Sequence, residues 1–151
     1  MLLGPPLRKQ ESNSIKFVKS LLYGELDPFP DVCQPVVDVR DAAEVHVAAL
    51  LKEDGVDGKR YICVGEVLFV REIADTLRRL YPDYPVSRKG IVAGPLEKPA
   101  LDTGSVMGDF KFKKFRGVST ALQEMVSKLT DQNAFKELDD EQIPEELNAR
   151  T

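Results

Sequence analysis

Apolar residues recur at helical spacing in four stretches of this chain, and each stretch predicts a helix. Ile15, Val18, Leu21 and Leu22 mark one over residues 12–23, which Gly24 stops. Ala42, Ala43, His46, Ala49 and Leu50 share one face of a second, over residues 42–52, closed by the turn Gly55-Val56-Asp57-Gly58. Asp41 with Glu44 three residues on has capping-box spacing, which makes Asp41 its N-cap. The most regular stripe is Val70, Ile73, Ala74, Leu77 and Leu80, opposite Arg71, Glu72, Asp75, Arg78 and Arg79. Pro82 and Pro85 close it. Leu122, Met125, Val126 and Leu129 define a last helix over residues 120–129, with Thr120 and Gln123 as a second capping-box pair.

β-Branched and apolar runs between these helices predict strands over residues 35–39 and 60–64 and a short one over 100–102. Gly4-Pro5-Pro6 and Asp27-Pro28-Phe29-Pro30-Asp31 read as loops by their prolines. Strands separated by helices imply an α/β chain. Two or three short strands are too few for an independent doubly wound sheet, so the helix faces need something further to pack on. Self-association through those faces is expected.

Composition narrows the class. A chain of 151 residues fits one domain, and 42% hydrophobic content supplies a core. No apolar run approaches the ~20 residues that span a bilayer. Gly4-Pro5-Pro6 follows Met1-Leu2-Leu3 at once, so no signal-peptide apolar region is present and the cytoplasm is the default compartment. Cys33 and Cys63 stand far apart, outside any CxxC pattern, and read as free buried thiols. One histidine and no Cys/His cluster exclude a zinc site. The net charge of −4 is uneven: residues 131–151 carry −5 and read as a flexible acidic tail, leaving +1 on residues 1–130. A nearly neutral body recruits neither nucleic acid nor an anionic membrane.

Much familiar chemistry is missing. No glycines fall in GxGxxG spacing after a strand, and GxSxG does not occur. A tyrosine whose lowered pKa lets it protonate a carbonyl needs a lysine four residues on. Tyr23, Tyr61, Tyr81 and Tyr84 lead instead to Asp27, Gly65, Pro85 and Arg88. His46, mid-helix among alanines and a leucine, reads better as a packed, hydrogen-bonded histidine than as a base. Arg40 sits at a strand end, where α/β proteins place ligands, although a salt-bridging role is the plainer reading. Lys111, Lys113, Lys114 and Arg116 interleave with Phe110, Phe112 and Phe115, a mixture that binds single-stranded nucleic acid in other settings; core phenylalanines alternating with solvated lysines is the plainer account.

Five segments, in order and spacing, resemble the extended short-chain dehydrogenase/reductase superfamily, in particular its dihydroflavonol-reductase, cinnamoyl-CoA-reductase and fungal aldehyde/methylglyoxal-reductase group. They are Gly4-Pro5-Pro6-Leu7, the run from Val37 to His46 (VDVRDAAEVH), Gly58-Lys59-Arg60-Tyr61-Ile62, Ile73 to Arg78 followed by Tyr81-Pro82, and Gly108 to Phe112 with the last helix. The resemblance covers residues 2–130 and matches the latter half of such an enzyme. It implies the substrate-binding portion of an extended Rossmann-type reductase. The Gly-rich loop and the Tyr-x-x-x-Lys pair would then lie in an N-terminal dinucleotide-binding half outside this sequence. The same resemblance makes Gly4 and Pro5 neighbours of the nicotinamide end of NADP, places Leu7, Ser12, Ser14 and Ile15 along a substrate pocket, and sets Arg40 and Asp41 at or behind its mouth. The implied function is substrate binding in an NADP-dependent aldehyde or ketone oxidoreductase, with the isolated chain inactive. A nucleotide-sugar epimerase/dehydratase, a hydroxysteroid dehydrogenase, or a non-catalytic binding or scaffold protein derived from the fold are the alternatives. Two departures stand out: residues 66–69 offer no small polar N-cap to the helix that follows, and Asp109 splits the expected Gly-Phe.

Overall fold

The computed structural model describes residues 1–7, 11–52, 54–95 and 97–131, and the acidic tail expected beyond Asp131 lies outside them. Three strands form the main sheet. The central strand, β3 (Cys33–Asp38), is flanked by β1 (Leu2–Leu3) in parallel and by β4 (Glu66–Phe69) in antiparallel register. A second sheet pairs β2 (Phe29–Asp31) with β5 (Gly90–Val92) in parallel.

Helices α1 (Asn13–Leu22), α3 (Val70–Leu80) and α5 (Val118–Thr130) supply most of the core. Ile15, Val18, Leu21 and Leu22 of α1 meet Val70, Ile73, Ala74 and Leu77 of α3 and Ala121, Leu122, Met125 and Val126 of α5. These are the apolar stripes expected from the sequence, and each is buried as a stripe should be. Helix α2 (Val39–Leu51) contributes no residue to that cluster. Its buried positions are Asp41 and Val45, whereas Val47, Leu50 and Leu51 are 54%, 84% and 74% exposed. The apolar face expected on Ala42, Ala43, His46, Ala49 and Leu50 is therefore largely turned outward, with Ala43, His46 and Leu50 exposed.

The helix starts explain why some boundaries differ from expectation. Ser12 caps α1, its Oγ accepting the Ile15 N–H at 3.3 Å. Asp38, not Asp41, caps α2, accepting the Arg40 N–H at 2.8 Å; Asp41 is already inside the first turn. Phe69 stands at the N-cap of α3 and has no acceptor to offer. Its place is taken by Glu72, which accepts the Phe69 N–H at 2.8 Å, and by Asp31 of β2, which accepts the Arg71 N–H at 3.1 Å. Helix α5 begins at Val118, and Glu66 of β4 accepts the Val118 N–H at 3.2 Å, so the Thr120/Gln123 box is not its start.

Three strand expectations are corrected. Residues 60–64 form no ladder, because the antiparallel register that sets Glu66 opposite Val36 carries them past Asp38, where β3 gives way to α2; the segment reaches the sheet through Gly65 N–H to Val36 O at 2.8 Å. Residues 100–102 are likewise unpaired. The proline-rich loop contains β2, since Phe29 supplies the donor, to Lys89 O at 2.8 Å, and the ladder does not need an N–H from the exposed Pro30. A short helix, α4 (Gly104–Asp109), was not foreseen; only Val106 in it is buried, so it leaves no periodic signal.

Candidate functional site

Both parallel strands of the main sheet, β1 and β3, run toward one end, and ligands in α/β folds bind beyond such carboxyl ends. A groove of about 300 Å³ lies at that end. The loop after β1 forms one wall with Gly4, Pro5, Pro6 and Leu7. Ser12 and Ile15 from the start of α1 form another, and Val39 and Met125 close it. Gly4 adopts φ +127, and a Cβ there would come within 2.9 Å of Val39 Cγ1. The chain can turn and stay close to α2 only with glycine at this position.

The groove gathers five of the seven residues singled out from the sequence: Gly4, Pro5, Leu7, Ser12 and Ile15. Ser14, half-buried in the same first turn of α1, is not part of its lining, nor is Arg40. Arg40 is bound to Asp38 through Nε–Oδ1 (2.9 Å) and Nη2–Oδ2 (2.6 Å), and to Glu124 of α5 through Nη1–Oε2 (2.6 Å). Burial pushes the Asp38 carboxyl up, but the Arg40 hydrogen bonds outweigh it and hold the group below its ordinary 3.8. The Asp38 hydrogen bond in turn raises the Arg40 guanidinium above its usual range. Arg40 thus braces the end of β3 against α5 beside the groove. Sequence reasoning missed Asp38, although an aspartate directly before a helix was the available signal.

Groups able to transfer protons lie elsewhere. The lone side-chain hydroxyl among the described residues of the groove, Ser12, serves the α1 cap, and among those residues no carboxylate, imidazole, amine or phenol lines it. Tyr23, Tyr81 and Tyr84 cluster with each other, successive ring centroids 5.8 Å apart. Tyr61 donates to Asp109 Oδ2 at 2.7 Å, and that hydrogen bond pushes its phenol up to about 12, away from the range of a ready proton donor. His46 is exposed, with Nδ1 2.7 Å from Ala42 O; it is hydrogen-bonded as expected but not packed. Asp41, read as an N-cap, is fully buried and accepts the Arg116 N–H at 2.6 Å and its guanidinium. Cys33 and Cys63 are free, and both are half-buried rather than buried. Burial, and then the nearby Asp41 charge, raise the Cys63 thiol. Among the described residues no cluster could hold a metal ion, and no helix is long and apolar enough to cross a membrane.

Comparison with known proteins gives a consistent picture. No family model matches the chain. It is 37% identical over 100 residues to cinnamoyl-CoA reductase 1 of Oryza sativa subsp. japonica, covering 66% of this chain and 29% of that protein. It is 30% identical over 132 residues to cinnamoyl-CoA reductase 2 of Arabidopsis thaliana, covering 87% of this chain and 39% of that one. Among solved structures, the yeast methylglyoxal/isovaleraldehyde reductase in complex with NADPH superposes with a TM-score of 0.65 at 22% identity, over 85% of this chain and 43% of the other. The chain therefore spans well under half the length of each.

Proposed function

The chain belongs to the extended short-chain dehydrogenase/reductase superfamily, cinnamoyl-CoA reductases among its relatives, and from that premise we propose that it forms the substrate-binding part of an NADP-dependent carbonyl reductase. The observation that carries this is the groove at the carboxyl end of β1, apolar and built from the loop after β1 and the first turn of α1. Such a surface suits the flat, uncharged end of a cofactor and an apolar carbonyl substrate. Among the described residues it offers no cationic side chain for the cofactor's phosphates. NADPH, when bound, supplies hydride to the carbonyl carbon. This chain's residues would hold the substrate against that end and exclude water. Among the described residues lining the groove, none is a donor for the proton that the carbonyl oxygen takes up.

The remaining groups would come from a dinucleotide-binding half like that in the longer relatives. The outward face of α2, with Val47, Leu50 and Leu51 uncovered, is the surface that a second structural unit would bury.

Mixing the purified 151-residue chain with NADPH and an aromatic aldehyde tests the reading. NADPH absorbance is expected to stay at the blank rate, and steady oxidation would overturn it. In amide NMR spectra the aldehyde is expected to move signals of Gly4, Leu7 and Ile15. Loss of those shifts in Gly4→Val, whose side chain would run into Val39 and displace the loop that walls the groove, is expected as well. Absence of any shift in the unaltered chain would favour a scaffold without a ligand.

A further inference from the structure

A second concavity, of about 380 Å³, lies between α2 and residues 110–114 and shares no residue with the groove. We propose that it binds a small phosphorylated aromatic molecule, a nucleotide by chemical class. Lys111, Lys113 and Lys114 line it and are exposed, and among the described residues no carboxylate pairs with any of them. The one carboxylate on its rim among the described residues, Glu44, is already held by Arg116 at 2.8 Å. The lysine charge thus remains available to an anion, and three ammonium groups within four residues suit the spread charge of a phosphate or diphosphate.

The rest of the wall is apolar and fixed in place. Phe110 packs on Tyr61 with ring centroids 4.6 Å apart, and Phe112 on Phe115 at 4.8 Å. Ala48 completes it from α2. A flat ring can therefore settle without reorganising the cleft. Lys111 sits at φ +51, a left-handed conformation that a non-glycine residue adopts at a cost of about 1 kcal/mol. Such strain is often retained where a side chain must point at a ligand.

A solvated basic face is the competing account, and it asks for no cavity. A single-stranded polyanion would need a track of such contacts, whereas the described body carries little net charge and the lysines converge on one cleft. The volume fits one small molecule.

The test is amide NMR titration of the 151-residue chain with ADP, with inorganic pyrophosphate, and with a short RNA. ADP is expected to shift signals of residues 110–114 together with Glu44 and Ala48. Pyrophosphate should bind roughly tenfold more weakly, lacking the ring. The surface variant Lys113→Gln/Lys114→Gln should keep the spectrum of the folded chain and lose roughly tenfold in ADP affinity. The proposal is overturned if millimolar ADP moves no signal there, if its shifts gather at Gly4 to Ile15, if the lysine variant binds ADP unchanged, or if RNA binds the cleft more tightly than ADP.

Discussion

Asp31, Asp38 and Asp41 are buried, and each is held by an arginine whose head group reaches solvent: Arg71, Arg40 and Arg116. Burial without a partner would be costly, so each aspartate also takes a backbone N–H at a helix start or in the loop before α5. Asp41→Ala would strip the Arg116 N–H and guanidinium of their acceptor at once. Hydrogen bonds to charged groups are worth about 1.5–3 kcal/mol, and Arg116 is partly exposed, so a loss of about 2 kcal/mol is expected. Urea unfolding measures it, and an unchanged midpoint would show the clamp to be idle. Only one of these pairs was within reach of sequence reasoning. Asp38 and Arg40 are two residues apart, whereas Asp31 and Arg71 are separated by 40 and Asp41 and Arg116 by 75. No periodicity encodes a contact across that distance.

Among the elements, α3 was legible in full, whereas α2 was legible in its existence but not in its start or its facing. Every stripe residue of α3 except Leu80 is buried, and Leu77 is fully so. In α2 the apolar positions are mostly alanines, which give a weak facing signal, and the inward side is marked by the polar Asp41. A pattern rule cannot choose a buried aspartate over an exposed leucine. The two helices should therefore respond oppositely to substitution. Leu77→Ala is expected to cost about 2–5 kcal/mol. Leu50→Glu should leave stability within about 0.5 kcal/mol, because that side chain is 84% exposed. Thermal unfolding of both variants checks the contrast. A large loss at Leu50 would mean that α2 is already covered in solution, by another copy of the chain.

At the scale of the whole molecule, the carboxylates set the response to acid. Asp38 and Glu72 are each held below their ordinary values of 3.8 and 4.5, Arg40 and Lys98 outweighing the effect of burial; Asp109 is lowered chiefly by its hydrogen bond from Tyr61. The folded chain keeps these groups ionised where the unfolded chain takes up protons. Their contribution is fully present above about pH 4.5 and is lost as pH falls through the lowered folded values. The urea midpoint should hold steady at mild acidity and then drop below that point. Charge reversal by Asp38→Lys would abolish part of that dependence. The fold class and the groove's position were legible because Gly4-Pro5 and the run from Val37 to His46 resemble one superfamily. The sheet was less so, since strands of two to six residues carry little alternation of their own.

The pairing of β2 with β5 has a consequence in time. Phe29 must find Gly90, and Cys33 must find Phe69, before either ladder can form. Helices α1, α3 and α5 need only neighbouring residues to begin, but the surfaces they pack on are closed by these distant encounters. Folding should therefore be slower than that of an all-helical chain of equal length, and stopped-flow refolding would register it as a rate set by sheet closure.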